Sequence, residues 1–192
     1  MKNFISNVFK DVHISFTSHF SASFSICFFI FIIWLAVYSY IRKKNNISTK
    51  PDYKKIIFSF ALLGCYFMIF FETIYSRPPH SRDSLSLVFY FENIFKDLDA
   101  GKYSVENILL FIPEGFLWAG IFQKSKKFLK VTLISFLSSL AIEITQLLTG
   151  RGYFQLSDLT TNTIGGVTGY ICYVIVFFII ENITNNNKKT KT

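Results

Sequence analysis

The feature that most restricts this chain is the grouping of its apolar residues into five long blocks separated by short polar stretches. A helix needs about 20 apolar residues to cross the hydrocarbon layer. Ala22–Ile41 supplies 20 uncharged residues, and Ile56–Tyr75, Val105–Phe122, Leu129–Leu148 and Thr163–Ile180 are of similar length. Such a chain predicts an all-α, polytopic membrane helical bundle with about five transmembrane helices. Of its 192 residues, 51% are hydrophobic and 24 are Phe, in keeping with lipid-facing walls.

The formal charge of +8 does not imply a nucleic-acid partner, because the Lys and Arg residues lie mainly between apolar blocks. Placed there, they read as orientation signals against the cytoplasmic leaflet. Residues 42–55, 123–128 and 181–192 together with Lys130 hold 13 of them, and the opposite loops hold 7. This bias predicts an N-terminus outside and a C-terminus in the cytoplasm. A four-span arrangement, with the first block re-entrant or a later one buried, is the alternative. The first block carries Arg42-Lys43-Lys44 behind it and no good cleavage site, so it reads as a retained span and not as a secretory signal. The resulting organisation is an outer N-terminal segment at 1–21 and two spans with an outer connection over 22–104. A three-span core over 105–180 and a disordered cytoplasmic tail at 181–192 follow.

Within the connection, Leu87, Phe91, Ile94, Phe95 and Leu98 recur at helical spacing. Such a segment fits either an amphipathic helix on the membrane surface or a connecting helix packed on the bundle. Cys27, Cys65 and Cys172 each sit inside an apolar block with no metal-ligand spacing, and neither a metal site nor a cofactor is expected.

The alternation of spans sends the intramembrane polar residues to one end. Glu72 closes the second span, Asn107 and Glu114 open the third, and Glu143 and Gln146 close the fourth. Arg77, Arg82, Arg151 and Asp158 lie in the adjoining loops, and Asn162 opens the fifth span. Charged residues in a bilayer are costly unless they face protein, a cavity or a partner, so one convergent outer pocket is the expectation. Plainer readings stand beside it. Glu72 is close enough to the interface to be simply solvated, and Arg77 and Arg82 suit lipid headgroups. Glu143 with an arginine would also lock a bundle, and Asp158 or Asn162 would cap a helix. Pro113 is expected to bend or open the third helix near Glu114. Small residues predict the packing faces: Gly165 and Gly169 on the fifth span, Ser135 and Ser139 on the fourth, and Gly115 and Ala119 on the third.

Three segments resemble VanZ-like membrane proteins. They are Asn107-Ile108-Leu109-Leu110-Phe111-Ile112-Pro113-Glu114-Gly115-Phe116, then Ser139, Glu143 and Gln146, then Arg151 and Asp158 to Gly166 with Gly169. Their order and spacing fit together over residues 105–170. Upstream, either Arg77 or Arg82 matches the family's arginine, the first span is poorly matched, and Glu114 stands where relatives often have a non-acidic residue. The resemblance implies a multi-pass protein of a bacterial cytoplasmic membrane, acting at its outer face. It carries an association with Gram-positive resistance to the glycopeptide teicoplanin, and Glu143, Gln146, Arg151, Asp158 and Asn162 as functional core.

The leading functional expectation is therefore binding of an amphiphilic antibiotic or lipid-linked envelope component, with membrane lipids as surroundings. One alternative is a membrane enzyme using Glu143 as acid or base, Arg151 against developing charge and Asp158 as an orienting group. It lacks a visible nucleophile, and His80 is the only histidine near the outer loops. Another is a small proton-coupled transporter, which in so short a chain calls for a homo-oligomer. A scaffold without a ligand is the last.

Overall fold

The computed structural model describes residues 25–45, 49–78, 98–122 and 127–189. Among them are five helices long and apolar enough to cross a membrane: α1 (Ser25–Lys44), α2 (Tyr53–Phe70), α3 (Leu98–Ile121), α4 (Lys127–Thr149) and α5 (Leu156–Lys189). The described residues form helices joined by turns and irregular connections. The segment 1–21, His80, Arg82 and most of the amphipathic stretch at 87–98 lie outside the described residues.

Asp52 starts α2 by accepting the Lys55 backbone N–H at 3.0 Å, the usual task of an N-cap carboxylate. The helix then continues as a π turn over Phe71–Tyr75. Further along, Pro113 lies inside α3 without ending it. Its missing N–H leaves one carbonyl of α3 without a helical donor, yet the helix runs on for eight residues, to Ile121. α4 ends in a Schellman-type turn. Gly150 takes φ 62, the Gly150 N–H donates to Leu147 at 3.3 Å, and the Arg151 N–H donates to Gln146 at 2.9 Å.

Two boundaries differ from the sequence expectation. α5 opens at Leu156, so Asp158 and Asn162 are inside its first two turns, not before a span starting at Thr163. At its other end α5 continues through the polar residues to Lys189. A helix already nucleated in the apolar span extends at little cost, one hydrogen bond per added residue. At 1.5 Å per residue its 34 residues reach roughly 50 Å, well beyond a hydrocarbon core of about 30 Å.

The closest helix approach joins α3 to α5. A Cβ added to Gly115 would collide with the Gly166 backbone, one at Gly165 with the Ile108 carbonyl, and one at Gly169 with the Ile112 carbonyl. Ser135 of α4 lies against Gly166. Small residues thus let the backbones of α3, α4 and α5 approach, as close-packed membrane helices require, and Phe111 with Ile142 and Val131 with Tyr173 fill the space beside them. α2 packs along α3, and its π turn reaches α4. α1 is peripheral and touches α2 through Phe31 and Phe60, whose rings are 4.3 Å apart.

The two ends of the bundle are chemically unlike. At the end where α2 begins, Lys54 donates to the Tyr173 hydroxyl at 3.0 Å and lies 4.1 Å from the Phe177 ring centroid. Phe58, Phe116 and Tyr173 complete an aromatic seat for the lysine. The opposite end, where α2 stops and α5 starts, carries the carboxylates.

Candidate functional site

Glu143, in the penultimate turn of α4, is 1% exposed. Its Oε2 accepts the backbone N–H of Gln155 at 2.7 Å, immediately before α5 begins. The free N–H groups of a helix start attract negative charge, and Asp158 stands in the first turn of the same helix. Two carboxylates from different helices therefore share one positive helix terminus. Arg77, from beyond the π turn, is the cation within electrostatic reach of both. Asn107 of α3 lies within reach of the Asp158 side chain, and Ser157 Oγ is 3.5 Å from it. Among the described residues, no group of three His, Cys, Asp or Glu side chains is arranged to hold a metal ion.

The amides beside the carboxylates are half used. Gln146 donates Nε2 to the Thr73 carbonyl at 2.9 Å, and Asn162 donates Nδ2 to Ser139 Oγ at 2.9 Å. Their oxygens, Gln146 Oε1 and Asn162 Oδ1, are buried with no hydrogen-bond partner among the described residues. Buried acceptors in this state are costly, and they favour a donor such as water, a hydroxyl or an ammonium group. Gly152 is buried where any side chain would press on Arg77 Nη1 and Gln146, so the glycine makes room for both.

Arg151 has a different place. Its Nη1 donates to the carbonyls of Ile74 at 2.9 Å, Arg77 at 3.0 Å and Tyr75 at 3.4 Å. The arginine caps the carbonyl end of α2, the negative pole of that helix. Glu72 lies on the π turn that this contact holds, half-buried, with its carbonyl accepting Ser76 Oγ at 2.7 Å.

Glu114 belongs to a separate cluster, deeper in the bundle. It is 0% exposed, with Oε2 accepting Ser135 Oγ at 2.6 Å and Oε1 accepting the Tyr66 hydroxyl at 3.0 Å. Tyr66 also accepts Trp118 Nε1 at 2.9 Å and lies 2.9 Å from Ser138 Oγ. The single expected pocket is thus two clusters on one polar stripe of α4, where Ser135 and Ser138 serve the lower and Glu143 and Gln146 the upper. The reason is helical rise: Glu114 is seven residues beyond Asn107, roughly 10 Å along α3. Ser139, bonded to Asn162, lies between the clusters.

Tyr66, Trp118, Ser135 and Ser138 were not singled out as site residues from the sequence. Tyr66 and Trp118 had a signal, being aromatic residues with polar atoms in apolar spans, where a buried hydroxyl or indole N–H requires a partner. The part played by the Gln155 N–H had none, since every non-proline residue carries that group.

A family model described as VanZ/LLP1 matches residues 4–178. No curated protein and no solved structure matches the chain.

Proposed function

This chain belongs to the VanZ/LLP1 family, and from that premise we propose that it binds the headgroup of an amphiphilic antibiotic or lipid-linked cell-envelope component at the outer face of a bacterial cytoplasmic membrane. The observation that carries this reading is the meeting of buried Glu143 with half-buried Asp158, Asn107 and Arg77 beside the unpartnered oxygens of Gln146 and Asn162. Two carboxylates face one arginine there, and two amide oxygens have no partner among the described residues. A complementary headgroup brings hydroxyls, amides or an amine to the acceptors and one anionic group to Arg77. Sugar, peptide and phosphate combined on a lipid have that chemistry, and so does a glycopeptide with a free carboxylate. Orientation follows from the bias of Lys and Arg toward the opposite end, which faces the cytoplasm in this reading. Sequestration of a drug or its target at this site would contribute to resistance in a Gram-positive cell.

The test is teicoplanin susceptibility of a sensitive Gram-positive host expressing the parent, Glu143→Gln or Asp158→Asn at matched membrane levels. Protection by the parent alone supports the site. An abundant, folded parent that gives no protection removes the glycopeptide. In that case, saturable binding of a lipid-linked envelope precursor to the purified parent, weakened in both variants, is the remaining form of the reading.

A further inference from the structure

Alongside the carboxylate end of the bundle, α2 and α4 part around a groove of about 310 Å³. α2 lines it with Tyr66, Phe70 and Ile74, and α4 with Ser138, Ala141 and Thr145. On α4, Ser138, Ala141 and Thr145 fall on one helical face and are small, so that strip recedes from the bulky residues of α2, while Ile142 borders it. From Ser138 to Thr145 is roughly 10 Å of helix, and from Tyr66 to Ile74 about 12 Å. Half of a hydrocarbon core is about 15 Å, so the groove covers most of one leaflet's depth.

The two ends of the groove differ. At the upper end, the Ile74 carbonyl is held by Arg151, and Thr145 adjoins Gln146 of the carboxylate site. At the lower end, the hydroxyls of Tyr66 and Ser138 bond to each other, and Tyr66 is further fixed by Glu114 and Trp118. Those bonds hold the phenol ring as a floor. The volume is at the bottom of the range of small-molecule pockets, about 300–1,000 Å³. A helix is about 10–12 Å across with its side chains, too wide to enter such a space. A hydrocarbon chain is narrow enough, and the apolar walls offer nothing to a polar group between floor and mouth.

We infer that the groove binds one hydrocarbon chain of an amphiphile from that leaflet, and that Tyr66 sets the depth it reaches. The inference rests on the proposed headgroup site, which gives the chain its fixed upper end.

The test uses the full chain in phosphatidylcholine nanodiscs and a lysophosphatidylglycerol whose single acyl chain carries a photoactivatable diazirine. In one probe the diazirine is near the headgroup, and in another it is at the chain terminus. The expected labelling saturates and is competed by unlabelled lysophosphatidylglycerol. Adducts move from Thr145 with the first probe to Tyr66 and Ser138 with the second. Ala141 is exposed on the groove wall, so Ala141→Phe fills the groove without entering the bundle core. It is expected to lower labelling at least tenfold, while Ala141→Ser retains it. Labelling that never saturates and follows lipid exposure, at Phe29, Leu133 and Phe178 as much as at Tyr66, overturns the groove whether or not the variant folds. Asp158→Asn separates the two readings. Saturable groove labelling that is unchanged in Asp158→Asn upholds the chain site and removes the headgroup site, whereas weaker labelling in that variant upholds both.

Discussion

Arg151 and Ile74, 77 positions apart in sequence, are joined by a 2.9 Å hydrogen bond from guanidinium Nη1 to carbonyl oxygen. The turn that ends α4 thereby caps α2. Gly150 makes this reach available, because its left-handed conformation reverses the chain within one residue. The ends of α2 and α4 meet the start of α5 at this corner, and the contact fixes the π turn that presents Thr73 to Gln146.

Arg151→Ala removes the donor to three carbonyls at once, and its cost is expected at about 1–3 kcal/mol. Thermal unfolding in detergent should show a lower midpoint, with Arg151→Lys between the two, because an ammonium donates without the planar fork. A midpoint unchanged from the parent in Arg151→Ala would contradict the capping role.

Tyr66→Phe keeps the ring and deletes the hydroxyl shared by Glu114, Ser138 and Trp118. Leaving buried partners unsatisfied is expected to lower stability by about 1–3 kcal/mol. With Trp34 replaced by Phe, the remaining emission comes from Trp118, and it should change as the indole N–H loses its acceptor. The same spectrum before and after the substitution would show that the bond is absent from the folded protein.

Gly115→Ala and Gly169→Ala each drive a methyl group into backbone of the facing helix. Both should sharply reduce the yield of folded protein, since a backbone contact cannot move aside as a side-chain tip can. Gly64 has nothing within 4 Å of an added Cβ, and Gly64→Ala is expected to raise stability by about 0.5–1 kcal/mol. Yields on size exclusion and melting midpoints distinguish the two kinds of glycine.

Asn107 of α3 stands within reach of the Asp158 carboxylate of α5. A double-mutant cycle with Asn107→Ala and Asp158→Ala should give a coupling of about 0.5–3 kcal/mol, the range of contacting residues. Additive effects on unfolding would place the two side chains apart.

Much of the architecture could be read along the chain because a bilayer imposes a simple length and polarity requirement. Five apolar blocks gave five helices, and the small residues marked faces where backbones meet. The family segments also fell where helices come together: Asn107 on Asp158, Ser139 on Asn162, Gly165 and Gly169 on α3. Boundaries were less legible. Polar residues at 181–189 carry little apolar signal of their own, and only their continuity with α5 explains their helix.

Spacing along the chain already marks which residues the bundle must keep from lipid and roughly at which end most of them lie. Tertiary structure decided what each does there. Glu114 and Glu143 look alike as acidic residues in apolar spans. One is met by tyrosine and serine hydroxyls, the other by the N–H at the start of α5. Arg77 and Arg151 likewise differ only in the folded chain, where Arg77 is within electrostatic reach of two carboxylates and Arg151 donates to three carbonyls. The physical reason is that burial creates the demand for a hydrogen-bond partner locally, at each polar atom. The partner itself is supplied by whichever helix packing brings within about 3 Å, often from more than 40 residues away.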